Sequence, residues 1–426
     1  MEFVELTSSE CVARYRLGDA PLTGAWDRGE LPEPRLHRIH AYPAKFPAFL
    51  TARALAYSEQ EGHQVRRVGD VFCGCGTVAH EARRAGLAFW GCDINPVATL
   101  IAKAKSTHCS GSVLRRKGAQ IAEMMATVSR QHELSADAVV RLNRWFSQTA
   151  FNDLAALLNA INVAVSSRSR YRPVFHCAFS AILKACSQWQ QRSVKPAFDG
   201  AKGAENVQNA FLAQVELMAV AFDEAQKATG PVPDIRLANV LTVEVPHERV
   251  DLIVTSPPYV TSYEYADLHQ LSSLWLGYVD DHRKLREGSI GTSQHDLNLR
   301  TQHAGLNKTG TQIVFTLYDQ DPYAARGVAQ YFLDMQKMAR RCKEFLTDKG
   351  VAVFVIGNTR YRDVQIDNAS HLAESLLEAG FKRVRATRRR ISNKSATPFR
   401  DASGKYTRTP TSNPIYAEEF VLIAHL

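Results

Sequence analysis

Apolar and polar positions along this chain fall into blocks that predict strands and helices in the order of a doubly wound sheet. Residues 65–72 (VRRVGDVF) read as a strand, Gly74 to Gly76 as a tight turn and 78–85 as a helix. Residues 88–93 (AFWGCD) predict a second strand. Pro96 to Lys105 begins another helix, with proline well placed in its first turn. Strand, glycine-rich turn, helix and strand in that order open an α/β domain.

The pattern then changes. From about 110 to 229 it is almost purely helical, with three- and four-residue apolar spacing over 136–147, 152–164, 173–187 and 205–226. Basic, loop-like pieces (SSRSRYRP at 166–173, QQRSVKP at 190–196) separate these helices. The α/β pattern resumes at 234–240 and 250–255. A polar, glycine-containing stretch from about 283 to 326 reads as a long loop, and the helix 330–346 carries Phe332, Met335, Met338, Ala339, Cys342 and Phe345 on one face. The strand VAVFVI follows Gly350, then a helix over 370–379 and closing strands over 381–391 and 419–425. The expected division is therefore 1–109 as the first part of the α/β domain, 110–229 as a helical insertion, and 230–426 as the second part. No internal repeat or low-complexity tract interrupts it.

Charge adds a candidate partner. The chain has 426 residues and a formal net charge of +9. Between Lys382 and Lys394 lie Arg383, Arg385, Arg388, Arg389 and Arg390 with no acidic residue among them, a block suited to phosphate contacts. Target recognition is expected from the helical insertion, especially Arg168, Arg170, Arg172 and Arg192, or from the 283–326 loop. The first residues lack the basic start and apolar core of a signal peptide, and no apolar run is long enough for a membrane span, so a cytoplasmic protein is expected. The eight cysteines are scattered and match no usual zinc spacing, which predicts reduced thiols and no metal.

Two short segments carry candidate chemistry. In Asp70-Val-Phe-Cys-Gly74-Cys-Gly76-Thr77, glycines after a strand let the backbone approach a ligand, and Asp93 ends the next strand where a carboxylate can take two ribose hydroxyls. The same spacing passes as a dinucleotide fingerprint, so it specifies an adenosine and leaves the rest of the cofactor open. In Thr255-Ser256-Pro257-Pro258-Tyr259, directly after the apolar run VDLIV, two prolines remove two backbone donors. The Ser256 hydroxyl and Pro257 carbonyl can then accept both hydrogens of an amino group, and Tyr259 offers a ring face to a planar base. His37, His40 and His269 read as ordinary surface or core histidines. Ile356 to Thr359, after VAVFVI, reads as a pocket wall.

With these residues the chain resembles the amino-methylating DNA methyltransferases, which modify cytosine N4 or adenine N6. His40 to Pro47, with Tyr42, Lys45 and Phe46, looks like the family's segment around the methionine end of the cofactor. Asp70, Phe72, Cys73, Gly74, Gly76 and Thr77 resemble its cofactor turn, although Val71 and Cys75 stand where the family more often has Pro and Ser. Asp93 and Ile94 resemble the ribose and adenine-edge segment, and Asn239 sits where an acidic residue often lies near the adenine amine. Ser256, Pro257, Pro258 and Tyr259 match the catalytic motif, whose serine-first form is associated with cytosine N4.

The resemblance implies a mostly parallel seven-stranded sheet, S-adenosylmethionine as cofactor, and double-stranded DNA as substrate with the target base flipped out. Functional pairing with a restriction or defence enzyme is a further possible partner role. It implies direct transfer, with Ser256 and the Pro257 carbonyl holding the amino group and Tyr259, and also Tyr263 or Tyr265, stacking on the base. Transfer to cytosine C5 would need a thiolate presented after a proline, and none of the eight cysteines follows one. The alternatives are adenine N6, a base amine in RNA, and a DNA-binding protein without catalysis.

Overall fold

Eight strands form one sheet in the order β1-β9-β12-β6-β5-β2-β3-β4 in the computed structural model. The strands are β1 (Val4–Leu6), β2 (Arg67–Asp70), β3 (Ala88–Asp93), β4 (Asp234–Leu237), β5 (Val250–Thr255) and β6 (Leu346–Ile356). A separate hairpin β7 (Thr359–Tyr361) and β8 (Val364–Ile366) precedes β9 (Arg383–Arg390), a small pair β10 (Phe399–Arg400) and β11 (Tyr406–Thr407), and β12 (Glu418–His425). The structure describes residues 2–14, 17–225, 230–260, 264–291, 299, 303–361, 363–391, 399–400, 406–407, 409 and 418–426.

From β4 through β3, β2 and β5 to β6 every pairing is parallel, whereas β12 runs antiparallel to both β6 and β9. The sheet is α/β and doubly wound as expected, with one strand more than the seven anticipated. The extra strand is β1, which pairs antiparallel with β9 through Val4, Glu5 and Leu6. Its three residues are too few to show a period of two.

The chain winds outward from β2 through β3 to β4 and returns to β5 on the other side of β2. That reversal leaves a crevice at the carboxyl ends of β2 and β5, where ligands of such sheets bind. Helices Ala48–Gln60 and Thr77–Arg84 pack one face of the sheet, and Pro322–Phe345 with Asn368–Glu378 pack the other.

Helices Gly111–Met124, Ala136–Asn143, Gln148–Ala164, Arg172–Ile182 and Val207–Glu224 occupy the stretch between β3 and β4. Their buried Leu154, Leu158, Phe175, Phe179 and Phe211 share one apolar cluster with Val97, Leu100 and Ile101 of helix Pro96–Ser106 and with Trp275. Burying side chains of this size contributes about 1.5–3 kcal/mol each, so the helices are anchored on the sheet domain by a continuous core.

The stretch 283–326 is not one loop. Asn307 accepts from the Gly310 N–H and starts helix Lys308–Tyr318, whose Ile313, Val314 and Leu317 are buried. Asp321 then caps Pro322–Phe345, with Pro322 in the first turn. Polar residues and Gly310 at the helix start hid a short apolar stripe that only three residues carry.

Candidate active site

The glycine turn follows β2 directly. Gly74 (φ 49°) and Gly76 (φ 75°) both take left-handed backbone, and Gly76 N–H closes the turn on the Cys73 carbonyl at 2.8 Å. A Cβ on Gly76 would lie 2.6 Å from the Ala102 Cβ, so the turn rests on helix Pro96–Ser106 and tolerates no side chain there. Asp93, at the carboxyl end of β3, accepts from Gly74 N–H at 2.7 Å through one oxygen and from Asn95 N–H at 2.8 Å through the other. Burial pushes its carboxyl up to about 6 against those two backbone donors.

Asp70 ties this turn to the second one. Its Oδ1 accepts from the Thr255 hydroxyl at 2.6 Å and from Phe72 N–H at 3.1 Å. Burial raises Asp70 to about 7, the two hydrogen bonds opposing the rise and the Asp93 charge adding to it. A buried carboxyl therefore spans β2 and β5 where the chain reverses.

The Ser256-Pro257-Pro258-Tyr259 segment leaves β5 at the same edge. Tyr331 donates its hydroxyl to the Pro258 carbonyl at 2.9 Å, and Tyr259 donates to Glu419 Oε1 at 3.0 Å. The Tyr259 ring lies so close to Gly357, just past β6, that a Cβ there would meet it at 2.9 Å. Among the described residues no hydrogen bond reaches the Pro257 carbonyl. Burial and the Glu419 charge hold the Tyr259 phenol well above its ordinary value, so it stays protonated and donates.

An aromatic group stands over the glycine turn. A Cβ on Gly74 would sit 3.5 Å from the Tyr42 hydroxyl, and the Tyr42 ring stacks on Tyr265 with centroids 5.8 Å apart. His269 completes the group at 5.3 Å from Tyr42, and its Nδ1 lies 2.8 Å from Asn95 Nδ2. Burial drives His269 down to about 3, which keeps it a neutral acceptor toward that amide. Asn95 also caps helix Pro96–Ser106 by accepting from the Val97 and Ala98 N–H groups. Tyr263 lies outside the described residues.

Other expected cofactor residues divide. Thr77 is buried at the start of helix Thr77–Arg84, and Cys73 and Phe46 pack in the core below the turn. Phe72 packs on the opposite face. Lys45 is committed elsewhere: its ammonium donates to Glu33 at 2.5 Å and to the His37 carbonyl at 3.2 Å. Asn239 donates to the Gly288 carbonyl at 2.9 Å and accepts from Leu241 N–H, while Gly288 also approaches Ile94. The segment after His282 thus packs against both Asn239 and Ile94.

The arginines require correction. Arg389 is 1% exposed. Its guanidinium donates to Glu419 at 2.5 Å and to the Trp26 carbonyl at 2.8 Å, so it does not face a phosphate. Arg388 is half-buried and pairs with Glu418 at 3.0 Å, and Arg383 and Arg385 pair with Glu5 and Glu61. The run has no acid within it, but the neighbouring strands β1 and β12 and Glu61, just after helix Ala48–Gln60, supply them. Arg390 stays exposed at the end of β9 nearest the site. Lys394 lies outside the described residues.

Within the helices, Tyr171 accepts from Ser110 N–H at 3.4 Å, just beyond the far end of helix Pro96–Ser106. That helix starts at the site and its 11 residues span about 16 Å. The loop bearing Arg168 and Arg170, and Arg172 bound to Asn162, therefore stand at the opposite edge of the sheet. Helix Arg172–Ile182 runs back toward the site, where Ser180 meets His40 at 2.8 Å, and the exposed Arg192 follows it.

His37, His80 and Glu81 bring ligand-type atoms within 4.8 Å of one another. His37 Nε2 already bonds Glu81 at 2.8 Å, Arg84 takes the other carboxylate oxygen, and Lys105 and Lys45 add positive charge nearby. This arrangement suits a core hydrogen-bond network and repels a dication.

No family model matches the chain. It is 24% identical over 385 residues to the Type II methyltransferase M.MvaI of Kocuria varians, with 84% of each chain covered. Among solved structures it overlaps the rRNA methyltransferase aviRa from Streptomyces viridochromogenes at a TM-score of 0.32 and 10% identity, covering 95% of this chain and 96% of that one. A SAM-dependent methyltransferase from Methanosarcina mazei overlaps at 0.26 and 9% identity, covering 87% and 97%. Those two overlaps are too loose to carry a conclusion. Sheet and crevice define the class, a doubly wound α/β protein with a ligand crevice at its strand ends, and in sequence it is similar to a methyltransferase.

Proposed function

We propose that this chain transfers a methyl group from S-adenosylmethionine to an exocyclic amino nitrogen of a DNA base, cytosine N4 in preference to adenine N6. The observation that carries the reading is the juxtaposition of the two turns. A glycine turn with its ribose-type carboxylate and a Ser-Pro-Pro-Tyr strand end leave adjacent strands and are joined by the Thr255–Asp70 hydrogen bond of 2.6 Å.

The residues fit the cofactor. Each Asp93 oxygen spends one acceptor site on the backbone and keeps another for a ribose hydroxyl. Gly74 and Gly76 leave the turn bare of side chains, Tyr42 walls it, and Ile94 lies toward the adenine side. S-adenosylmethionine supplies an electrophilic methyl group. The chain's own residues orient the acceptor: Ser256 and the Pro257 carbonyl take the two amino hydrogens, and Tyr259 stacks on the base. The base nitrogen forms a bond to the methyl carbon as its bond to sulfur breaks, S-adenosylhomocysteine leaves, and the nitrogen gives up one proton to solvent. Orientation of this kind is worth roughly 7–11 kcal/mol in favourable cases.

The target base must leave the duplex to reach this crevice. Arg192 and Arg390, both exposed, are the proposed phosphate contacts. Serine at the head of the motif favours cytosine N4. Incorporation of tritiated methyl from S-adenosylmethionine into duplex DNA and into RNA tests the reading, with modification-sensitive sequencing to give base and atom. Signal in DNA at cytosine N4 is expected. Adenine N6 would move the base and keep the chemistry, whereas label in RNA alone, or in neither, overturns it.

A further inference from the structure

The Tyr259 hydroxyl ends on a charged pair that the fold carries at some cost. Glu419 accepts from Tyr259 through Oε1 at 3.0 Å and from Arg389 through Oε2 at 2.5 Å. The pair stands directly opposite across β12 and β9, with the Arg389 side chain 2% exposed and that of Glu419 17% exposed. The preceding pair on the same strands, Glu418 and Arg388, is 36% and 26% exposed and could be solvated without changing the sheet. Taking two charges out of water is repaid only when geometry and extra hydrogen bonds satisfy both. Here they do: Arg389 Nε reaches the Trp26 carbonyl at 2.8 Å, and the guanidinium lies 5.5 Å from the Phe49 ring. One carboxylate oxygen remains, and it is aimed at the tyrosine of the catalytic segment.

The ring is held elsewhere as well. Gly357 leaves no room behind it, and Tyr331 fixes the carbonyl of the preceding Pro258. Glu419 sets the remaining freedom, the reach of the hydroxyl along the sheet edge.

We infer that Glu419, backed by Arg389, is a positioning residue for methyl transfer that fixes the Tyr259 ring on which the target base stacks. The inference rests on the function proposed above and adds a residue that touches neither base nor cofactor. Without Glu419 the phenol keeps the Ser256 hydroxyl and loses its charged acceptor, so the hydroxyl end of the ring can shift along the sheet edge and the base is presented at a varying distance from Ser256 and Pro257. Misplacement on this scale costs rate rather than cofactor affinity.

The test compares wild type, Glu419→Ala, Glu419→Gln, Tyr259→Phe and the Glu419→Ala/Tyr259→Phe double variant. Three quantities are followed: single-turnover methyl transfer to DNA, the Kd for S-adenosylhomocysteine, and the NMR signal of ring-labelled Tyr259, assigned by its loss in Tyr259→Phe. Glu419→Ala should slow transfer by about tenfold or more while Kd stays within about twofold. Glu419→Gln, which keeps an acceptor oxygen, should recover most of the rate. The double variant should be no slower than Tyr259→Phe alone. The Tyr259 ring signal should shift and broaden in Glu419→Ala as the hydroxyl end loses its tether. An additive double variant, an unchanged Tyr259 signal, or a lowered melting temperature with undiminished transfer would overturn the inference. Absence of any transfer by wild type would instead sink the proposed function, and the ring signal would still decide whether Glu419 tethers Tyr259.

Discussion

The glycine turn and the proline turn lie side by side at one sheet edge and are supported by different means. Around the glycine turn the backbone donors are close in sequence, Phe72 N–H to Asp70 spanning 2 residues and Gly74 N–H to Asp93 spanning 19, while the Thr255 hydroxyl that joins the two turns reaches Asp70 across 185. Around the proline turn the partners are remote, with Tyr331 at 73 residues from Pro258 and Glu419 at 160 from Tyr259. Prolines account for this contrast. A segment that lacks two successive backbone donors braces itself poorly, and side chains on other strands and helices supply the rest. On the proposed function the glycine turn binds and the proline turn orients, so they should fail separately.

Four substitutions break or sharpen that separation. Ser256→Ala removes an acceptor from the amino group and is expected to lower kcat on the order of 10²–10³-fold, with cofactor Kd unchanged by calorimetry. Equal losses in kcat and cofactor affinity would merge the two turns into one unit. Gly76→Ala acts on the other side. A Cβ at φ 75° pressed on Ala102 should destabilise the protein by about 2–4 kcal/mol in denaturant titration and abolish cofactor binding.

Asp93→Asn is the next test. If Asp93 takes two ribose hydroxyls as proposed, the carboxylate must be ionised, and its value near 6 predicts that affinity is lost as pH falls through about 6. The Asn variant should bind the cofactor about 10–100-fold more weakly, with that pH dependence gone. The sign for stability is opposite. Asp93 and Asp70 are raised in the native state, so without ligand the folded chain binds more protons and their contribution falls as pH rises from about 4 toward 7. Arg192→Ala should give the smallest change, a uniform weakening of DNA binding with the salt slope reduced by about one. An unchanged slope would remove Arg192 from the interface.

Legibility followed the same division. Strands at 88–93 and 250–255 coincide with β3 and β5, and the glycine turn is visible in sequence because positive φ selects glycine locally. The supports of Tyr259 left no such trace: Glu419 is one of two adjacent glutamates at the start of an otherwise apolar strand, and Tyr331 one aromatic on a long helix. His269 likewise read as an ordinary histidine until Asn95 and Tyr42 were placed against it. The arginine run misled for the same reason. Charge clustering was read along the chain, whereas its neutralising acids stand across β1 and β12.

Sequence alone determined the doubly wound α/β class, the two chemical segments and their places at strand ends. These depend on periodicity and on backbone preferences that neighbouring residues express. Tertiary structure decided that the two turns adjoin at the reversal between β2 and β5, that Asp70 joins them through Thr255, and that Arg389 braces Glu419 instead of meeting DNA. Those outcomes depend on which strands pair and in what register, and the partners of a buried charge come into being only with that pairing.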